Sequence, residues 1–155
     1  MHTRLVSGSM RSCCATSRCT ARASGPTCSS AASATALLAG GSFEIYGTGE
    51  QSRSFTEVGD AVAATIAAME RAPSGAVYNV GGGEEASMLE AIALLERISG
   101  RTLDVSHIDA AKGDVRRTKA DVTRIREALG WEPRTSLSDG LTRMWAWASG
   151  RVAAG

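Results

Sequence analysis

From Ser30 onward, apolar and polar residues alternate in helical and strand periods, punctuated by glycine and proline. Ala31 to Ala39 is helix-prone and stops at Gly40-Gly41, a helix-ending signal. Phe43 to Tyr46 alternates like a short strand, Gly47-Thr48-Gly49 turns the chain, and Arg53 to Val58 reads as extended. Val58, Val62, Ile66 and Met69 then recur at i, i+4, i+8 and i+11, which predicts a helix ending near Pro73 with these four on one face. Ala76 to Val80 is a buried-type strand that runs into Gly81-Gly82-Gly83, and these glycines predict a tight strand-to-helix turn. The triplet lacks the Gly-x-Gly-x-x-Gly spacing of a dinucleotide loop.

Ser87-Met88-Leu89-Glu90 has the form of a capping box, in which hydroxyl and carboxylate satisfy each other's orphan amides. Leu89, Ile92, Leu95 and Ile98 line one face of the helix behind it, and Gly100 closes it. Leu103 to Ile108 is a further strand. Asp121 is placed to cap a helix carrying Val122, Ile125 and Leu129, which Gly130 ends. A last helix starts at Ser138 and buries Leu141, Trp145 and Ala148. Strands interleaved with helices of about 12 residues predict an α/β fold with parallel pairing.

Residues 1–30 lack this pattern. All four cysteines (Cys13, Cys14, Cys19, Cys28) lie there, with four arginines and no acidic residue before Glu44. So few large apolar side chains cannot offset the entropy of ordering, so the head is expected to be disordered. Its Arg- and Ser-rich, acid-free composition suits an organelle transit peptide, but it has no amphipathic stripe, and no apolar run suits a secretory signal. Cys-Cys-x4-Cys-x8-Cys lacks the paired C-x2-C of zinc modules, so no metal is expected. Arg, Ala, Ser, Cys, Thr, Gly and Pro are also what a GC-rich gene yields out of frame. A frameshift or misassigned start is the favoured reading, with a naturally short binding protein as the alternative. The organised part then spans 31–150, with a tail at 151–155.

Composition adds exclusions. The 155 residues suit one domain, and a formal net charge of +1 argues against a nucleic-acid partner. No apolar run reaches the roughly 20 residues that span a bilayer, so no membrane partner and a cytoplasmic location are expected.

Four blocks, FEIYGTGEQSRSFTEVGDAV, VYNVGGGEEASMLEAIALLE, GDVRRTKADVTRIREALGWEP and SLSDGLTRMWAW, stand in an order and spacing that resembles the C-terminal half of the NAD-dependent epimerases and dehydratases. These are extended short-chain dehydrogenases acting on nucleotide sugars, such as UDP-glucose and UDP-glucuronate epimerases. The resemblance covers roughly residues 36 to 150. It implies the substrate-binding part of a Rossmann-type fold that lacks most of its nucleotide-binding half. A nucleotide sugar needs a guanidinium for its diphosphate, a ring to stack on its base and a carboxylate for its hydroxyls. The resemblance assigns these roles to Arg53 for the diphosphate, Tyr46 for the base and Asp114 for the nucleoside. Taken alone, Arg53 reads equally as a solvated strand arginine, Tyr46 as a packing aromatic and Asp114 as a turn residue.

The chain departs from the family pattern at Ser54, where an Asp is usual, and at Glu57, where Tyr or His is usual. Ala111 stands where a second phosphate-binding Arg is frequent, and Arg116 or Arg117 is the candidate replacement. The family's NAD loop and Tyr-x-x-x-Lys pair have no match. Tyr46 and Tyr78 are followed four positions on by Glu50 and Gly82. No catalytic residue is therefore assigned. NAD belongs to the intact family and is not expected to bind this chain alone. The sequence reads as a UDP-sugar-binding part of an epimerase or dehydratase, inactive alone; the alternative is a stand-alone binding or regulatory module. With the other half absent, the strand Ala76 to Val80 should present a bare apolar edge. That edge implies marginal stability and association as a homodimer or through the exposed edge.

Overall fold

In the computed structural model, which describes residues 3–6, 29–109 and 117–152, helices and short strands alternate along an α/β chain. The order is β1 (Thr3–Val6), α1 (Ser29–Ala39), β2 (Ser42–Tyr46), β3 (Ser52–Ser54), α2 (Val58–Arg71), β4 (Val77–Val80), β5 (Glu85–Ser87), α3 (Met88–Ser99), β6 (Asp104–Ile108), β7 (Arg117–Thr118), α4 (Thr123–Leu129) and α5 (Leu137–Val152). Three small sheets result. β2 pairs with β6 in parallel, β3 sits between antiparallel β5 and parallel β7, and β1 pairs antiparallel with β4.

Local chemistry explains the helix boundaries. Ser87 Oγ accepts from Glu90 N at 3.1 Å while Glu90 Oε2 accepts from Ser87 N at 2.7 Å, completing the capping box of α3. These bonds from Ser87 hold the Glu90 carboxyl below the usual glutamate range. Asp121 Oδ1 accepts from Thr123 N at 3.0 Å and starts α4, and the same bond lowers the Asp121 carboxyl's pKa. Gly100 ends α3 at φ 67°, a left-handed position that a Cβ would strain.

Two cores form. The larger joins α1, α3 and α5 to β2 and β6, and Leu95 and Leu141 are each only 1% exposed. The smaller packs Ala64 and Ala68 of α2 against Tyr78 and Val80 of β4 and Ile125 and Leu129 of α4, with Trp131 beside them. Trp131 Nε1 donates to the Asp60 carbonyl at 2.9 Å, and Asp60 Oδ2 accepts from Arg134 N and Thr135 N, so the α4–α5 link is tied to the start of α2.

The structure departs from the sequence pattern in several places. The stripe Val58, Val62, Ile66 and Met69 does not face the core. These residues are 37%, 50%, 49% and 80% exposed, because α2 turns its small Ala64, Ala67 and Ala68 inward. Leu89, expected on the buried face of α3, stands exposed on its first turn. The strand ending at Val80 is not bare on both sides, because β1 covers one edge in the register Thr3↔Val80 to Val6↔Val77. Four backbone positions, Thr3 to Val6, find ladder partners on β4, and α1 begins at Ser29. Residues 7–28, with the four cysteines, lie outside the described residues.

The glycine turn also leads into β5 before α3 rather than directly into a helix. Among the described residues no helix is long and apolar enough to cross a membrane, and no group of three or more His, Cys, Asp or Glu is placed to hold a metal.

Candidate functional site

The parallel pair β2–β6 ends with Tyr46 beside Ile108. Glycine-rich residues then leave the sheet, and the turn is fixed by its own bonds. Gly47 N donates to the Ile108 carbonyl at 2.8 Å, and Gln51 Nε2 donates to the Tyr46 carbonyl at 2.8 Å. His107 Nδ1 lies 2.8 Å from the Gly47 carbonyl, a contact that requires the ring proton on Nδ1 because a carbonyl only accepts. The backbone at Tyr46 is thereby held while its side chain stays 55% exposed. An exposed, positioned phenol ring at the end of a parallel pair is suited to stacking against a flat group.

Seven positions on, Arg53 occupies the middle of β3, opposite Ala86 of β5 and Thr118 of β7. Its side chain is half-buried, and Nη1 donates to the Ser52 carbonyl at 2.9 Å, folding the guanidinium back along its own strand. Tyr46 and Arg53 thus flank the same β2–β3 connection. Asp114 and Arg116 lie outside the described residues, within 110–116. The described residues nearest that segment are Asp109, one past the Ile108 that pairs with Tyr46, and Arg117, paired with Ser52.

The structure adds a cluster that the sequence reading missed. Glu85 of β5 accepts from Arg117 Nε at 2.8 Å and Nη2 at 3.1 Å, and Lys119 Nζ lies 3.0 Å from its other contact point, Oε1. The Lys119 bond first, and the Arg117 bonds second, hold the Glu85 carboxyl below the usual glutamate range. Arg117 was one candidate for the missing phosphate ligand; its guanidinium is instead engaged in a fork with Glu85. Partners 32 residues apart leave no local signal, and the expected glycine turn hid the strand that carries Glu85. Arg53, Arg117 and Lys119 thus stand on and beside this sheet, with the carboxylates of Glu84 and Glu85 at the start of β5.

Gly81, Gly82 and Gly83 do not fit the pyrophosphate of NAD. A Cβ built on Gly83 would lie 1.8 Å from the Phe55 carbonyl oxygen, so the open side of this turn is filled by the protein's own backbone. Gly83 N donates to Thr56 Oγ1, Ser54 Oγ donates to the Gly83 carbonyl, and Phe55 N donates to the Glu84 carbonyl. Gly83 lets the backbone just after β3 touch the β4–β5 link, while Gly81 and Gly82 lie against Ala120 and Val122. Tyr78 is buried in the smaller core with the Arg124 guanidinium 5.6 Å from its ring centre, a packing role.

Residues 22–144 match the family model described as GDP-mannose 4,6 dehydratase. An uncharacterised UDP-glucose epimerase of Bacillus subtilis is 39% identical over 106 residues, covering 68% of this chain and 34% of that protein. The UDP-glucuronate 4-epimerase of Thermodesulfobacterium geofontis is 34% identical over 111 residues, covering 70% and 34%. The crystal structure of UDP-glucuronic acid 4-epimerase from Bacillus cereus, in complex with UDP-glucuronic acid and NAD, superposes with a TM-score of 0.75 at 31% identity. That match covers 81% of this chain and 41% of the other. The chain spans about a third of the length of the curated relatives it matches.

Proposed function

Because this chain belongs to the nucleotide-sugar epimerase and dehydratase family described by the GDP-mannose 4,6 dehydratase model, we propose that it is the substrate-binding part of such an enzyme and takes a UDP-sugar. In this reading Tyr46 stacks on the base, Arg53 contacts the diphosphate with Arg116 as a second phosphate ligand, and Asp114 serves the nucleoside. The observation that carries it is the β2–β3 connection, which holds an exposed aromatic ring at one end and a strand arginine at the other. Guanidinium and diphosphate form charge-assisted, bidentate bonds, about twice as strong as neutral ones. The chain would bind without turning substrate over; this is supported by the Gly83 turn being filled by the Phe55 backbone and by the sequence having no Tyr-x-x-x-Lys pair.

Isothermal titration of the purified chain with UDP-glucose and UDP-glucuronate tests this. Micromolar binding is expected, weakened at least tenfold by Arg53→Ala and less by Tyr46→Ala, with no epimer formed when NAD is added. No heat at millimolar UDP-sugar, or equal binding by Arg53→Ala, would overturn the site. Turnover with added NAD would overturn its description as a binding part alone.

A further inference from the structure

The ion pairs of Glu85 run across a strand rather than along one. Glu85 stands opposite Ser54 and Arg117 opposite Ser52, on either side of β3. Side chains alternate between the two faces of a sheet, so Ser52, Ser54, Glu85 and Arg117 share one face and Arg53 belongs to the other. The two serines are short enough for the Glu85 carboxylate to pass over β3 and meet Arg117 at 2.8 Å and Lys119 at 3.0 Å.

The outer strands of this sheet are held very unequally. β5 is anchored: Ala86 is buried in the larger core, Ser87 caps α3, and Glu84 accepts from Leu137 N at the start of α5. β7 has two residues, and β3 is its only strand partner among the described residues. Ordinary strands run to about five or six residues, so this ladder alone holds β7 weakly. Yet β7 is what flanks Arg53, whose backbone pairs with Thr118.

We propose that Glu85 is a positioning residue of the substrate site: by clamping Arg117 and Lys119 it ties β7 to the anchored β5, and so fixes the strand beside Arg53. The proposal rests on the reading of Arg53 as the diphosphate ligand. The clamp acts through the backbone, because Glu85 and Arg53 lie on opposite faces of the sheet. Its partners also keep the Glu85 carboxyl below the usual glutamate range, so the clamp is fully charged at neutral pH.

Glu85→Gln keeps the shape and removes the charge. Arg117 and Lys119 are 67% and 61% exposed, and exposed ion pairs contribute little to global stability. The melting temperature should therefore stay within about 2 °C of the parent. Amide exchange across β7, read without ligand, should rise about fivefold, and UDP-glucose binding in isothermal titration should weaken about threefold to fivefold. Arg117→Gln should weaken binding alike, and the double variant should bind no worse than either single one, as two partners of one interaction do. If Glu85 instead withholds Arg117 from an anion, Glu85→Gln tightens binding. Tighter binding, additive losses, or unchanged exchange at β7 would each overturn the proposal. A parent chain that gives no heat overturns the substrate reading and this proposal with it, whereas a parent that binds no better than Glu85→Gln overturns this proposal alone.

Discussion

Gly83→Ala puts the close contact between β3 and the β4–β5 link under direct strain. The new Cβ would lie 1.8 Å from the Phe55 carbonyl oxygen and 2.9 Å from its carbon, where ordinary contact begins at 3.4 Å. The backbones must separate by more than an ångström, and neither side yields easily. Phe55 is 3% exposed in the larger core, and its amide donates to the Glu84 carbonyl at 2.9 Å. Separation strains that bond, the Ser54 Oγ bond to the Gly83 carbonyl (3.1 Å) and the Gly83 amide bond to Thr56 Oγ1 (3.4 Å). At about 0.5–1.5 kcal/mol for each of the three bonds and about 1–3 kcal/mol for overpacking, the cost is roughly 2.5–7.5 kcal/mol.

That is a large share of the about 5–15 kcal/mol by which domains are stable. At about 2–4 °C per kcal/mol for a chain of this size, Gly83→Ala should lower Tm on the order of 10 °C in a scanning fluorescence or circular dichroism melt. Gly150→Ala is the matched control: its Cβ meets nothing within 4 Å inside α5, so it should stabilise by about 0.5–1 kcal/mol. A Gly83→Ala protein melting within about 2 °C of its parent would refute the argument that this contact fixes the sheet beside Arg53.

The capping box gives a smaller, local effect: Ser87→Ala should destabilise by about 1 kcal/mol in urea titration and raise amide exchange in the first turn of α3. Ile125, fully buried between α2, β4 and α4, should cost about 2–5 kcal/mol on truncation to Ala, read from the same titration. Acid should destabilise the fold through Glu85, Glu90 and Asp121, all held below their usual range. A depressed folded pKa means that the stabilisation is full above the unfolded value, near 4, and lost as pH falls through the lower folded one. Stability measured from pH 7 to 3 should therefore drop at the acid end, and Glu85→Gln should flatten part of that drop.

Features set by near neighbours were legible in the sequence. The capping box, the glycine stops at Gly100 and Gly130, and the strand at Phe43 to Tyr46 depend on residues within a few positions of one another, and each is found where the pattern puts it. The inward faces of α4 and α5 at Ile125, Leu129, Leu141 and Ala148 follow from the helical period for the same reason. Pairings across distance were not legible. Nothing in the run Glu84 to Ser87 tells that it lies antiparallel to Ser52–Ser54, or that Glu85 will collect Arg117 and Lys119. Tyr46 and Arg53 were reached through resemblance to a family, since an aromatic and an arginine in short strands have no distinctive spacing of their own.

The orientation of α2 shows why periodicity stops short of packing. A period of 3.6 states which side chains share a face; it does not state where that face points. Large residues are ordinarily assigned inward because burying one contributes about 1.5–3 kcal/mol. On α2 both faces are apolar, and the face with the smaller side chains wins the contact with β4 and α4, since alanines let helix and strand backbones approach closely. Val58, Val62, Ile66 and Met69 then keep burial energy that this chain alone leaves unused. A polar substitution on that side is consequently cheap in the isolated chain and costly wherever a second layer covers it. Comparing the two costs at Ile66 measures how much of the fold's cohesion lies across that face.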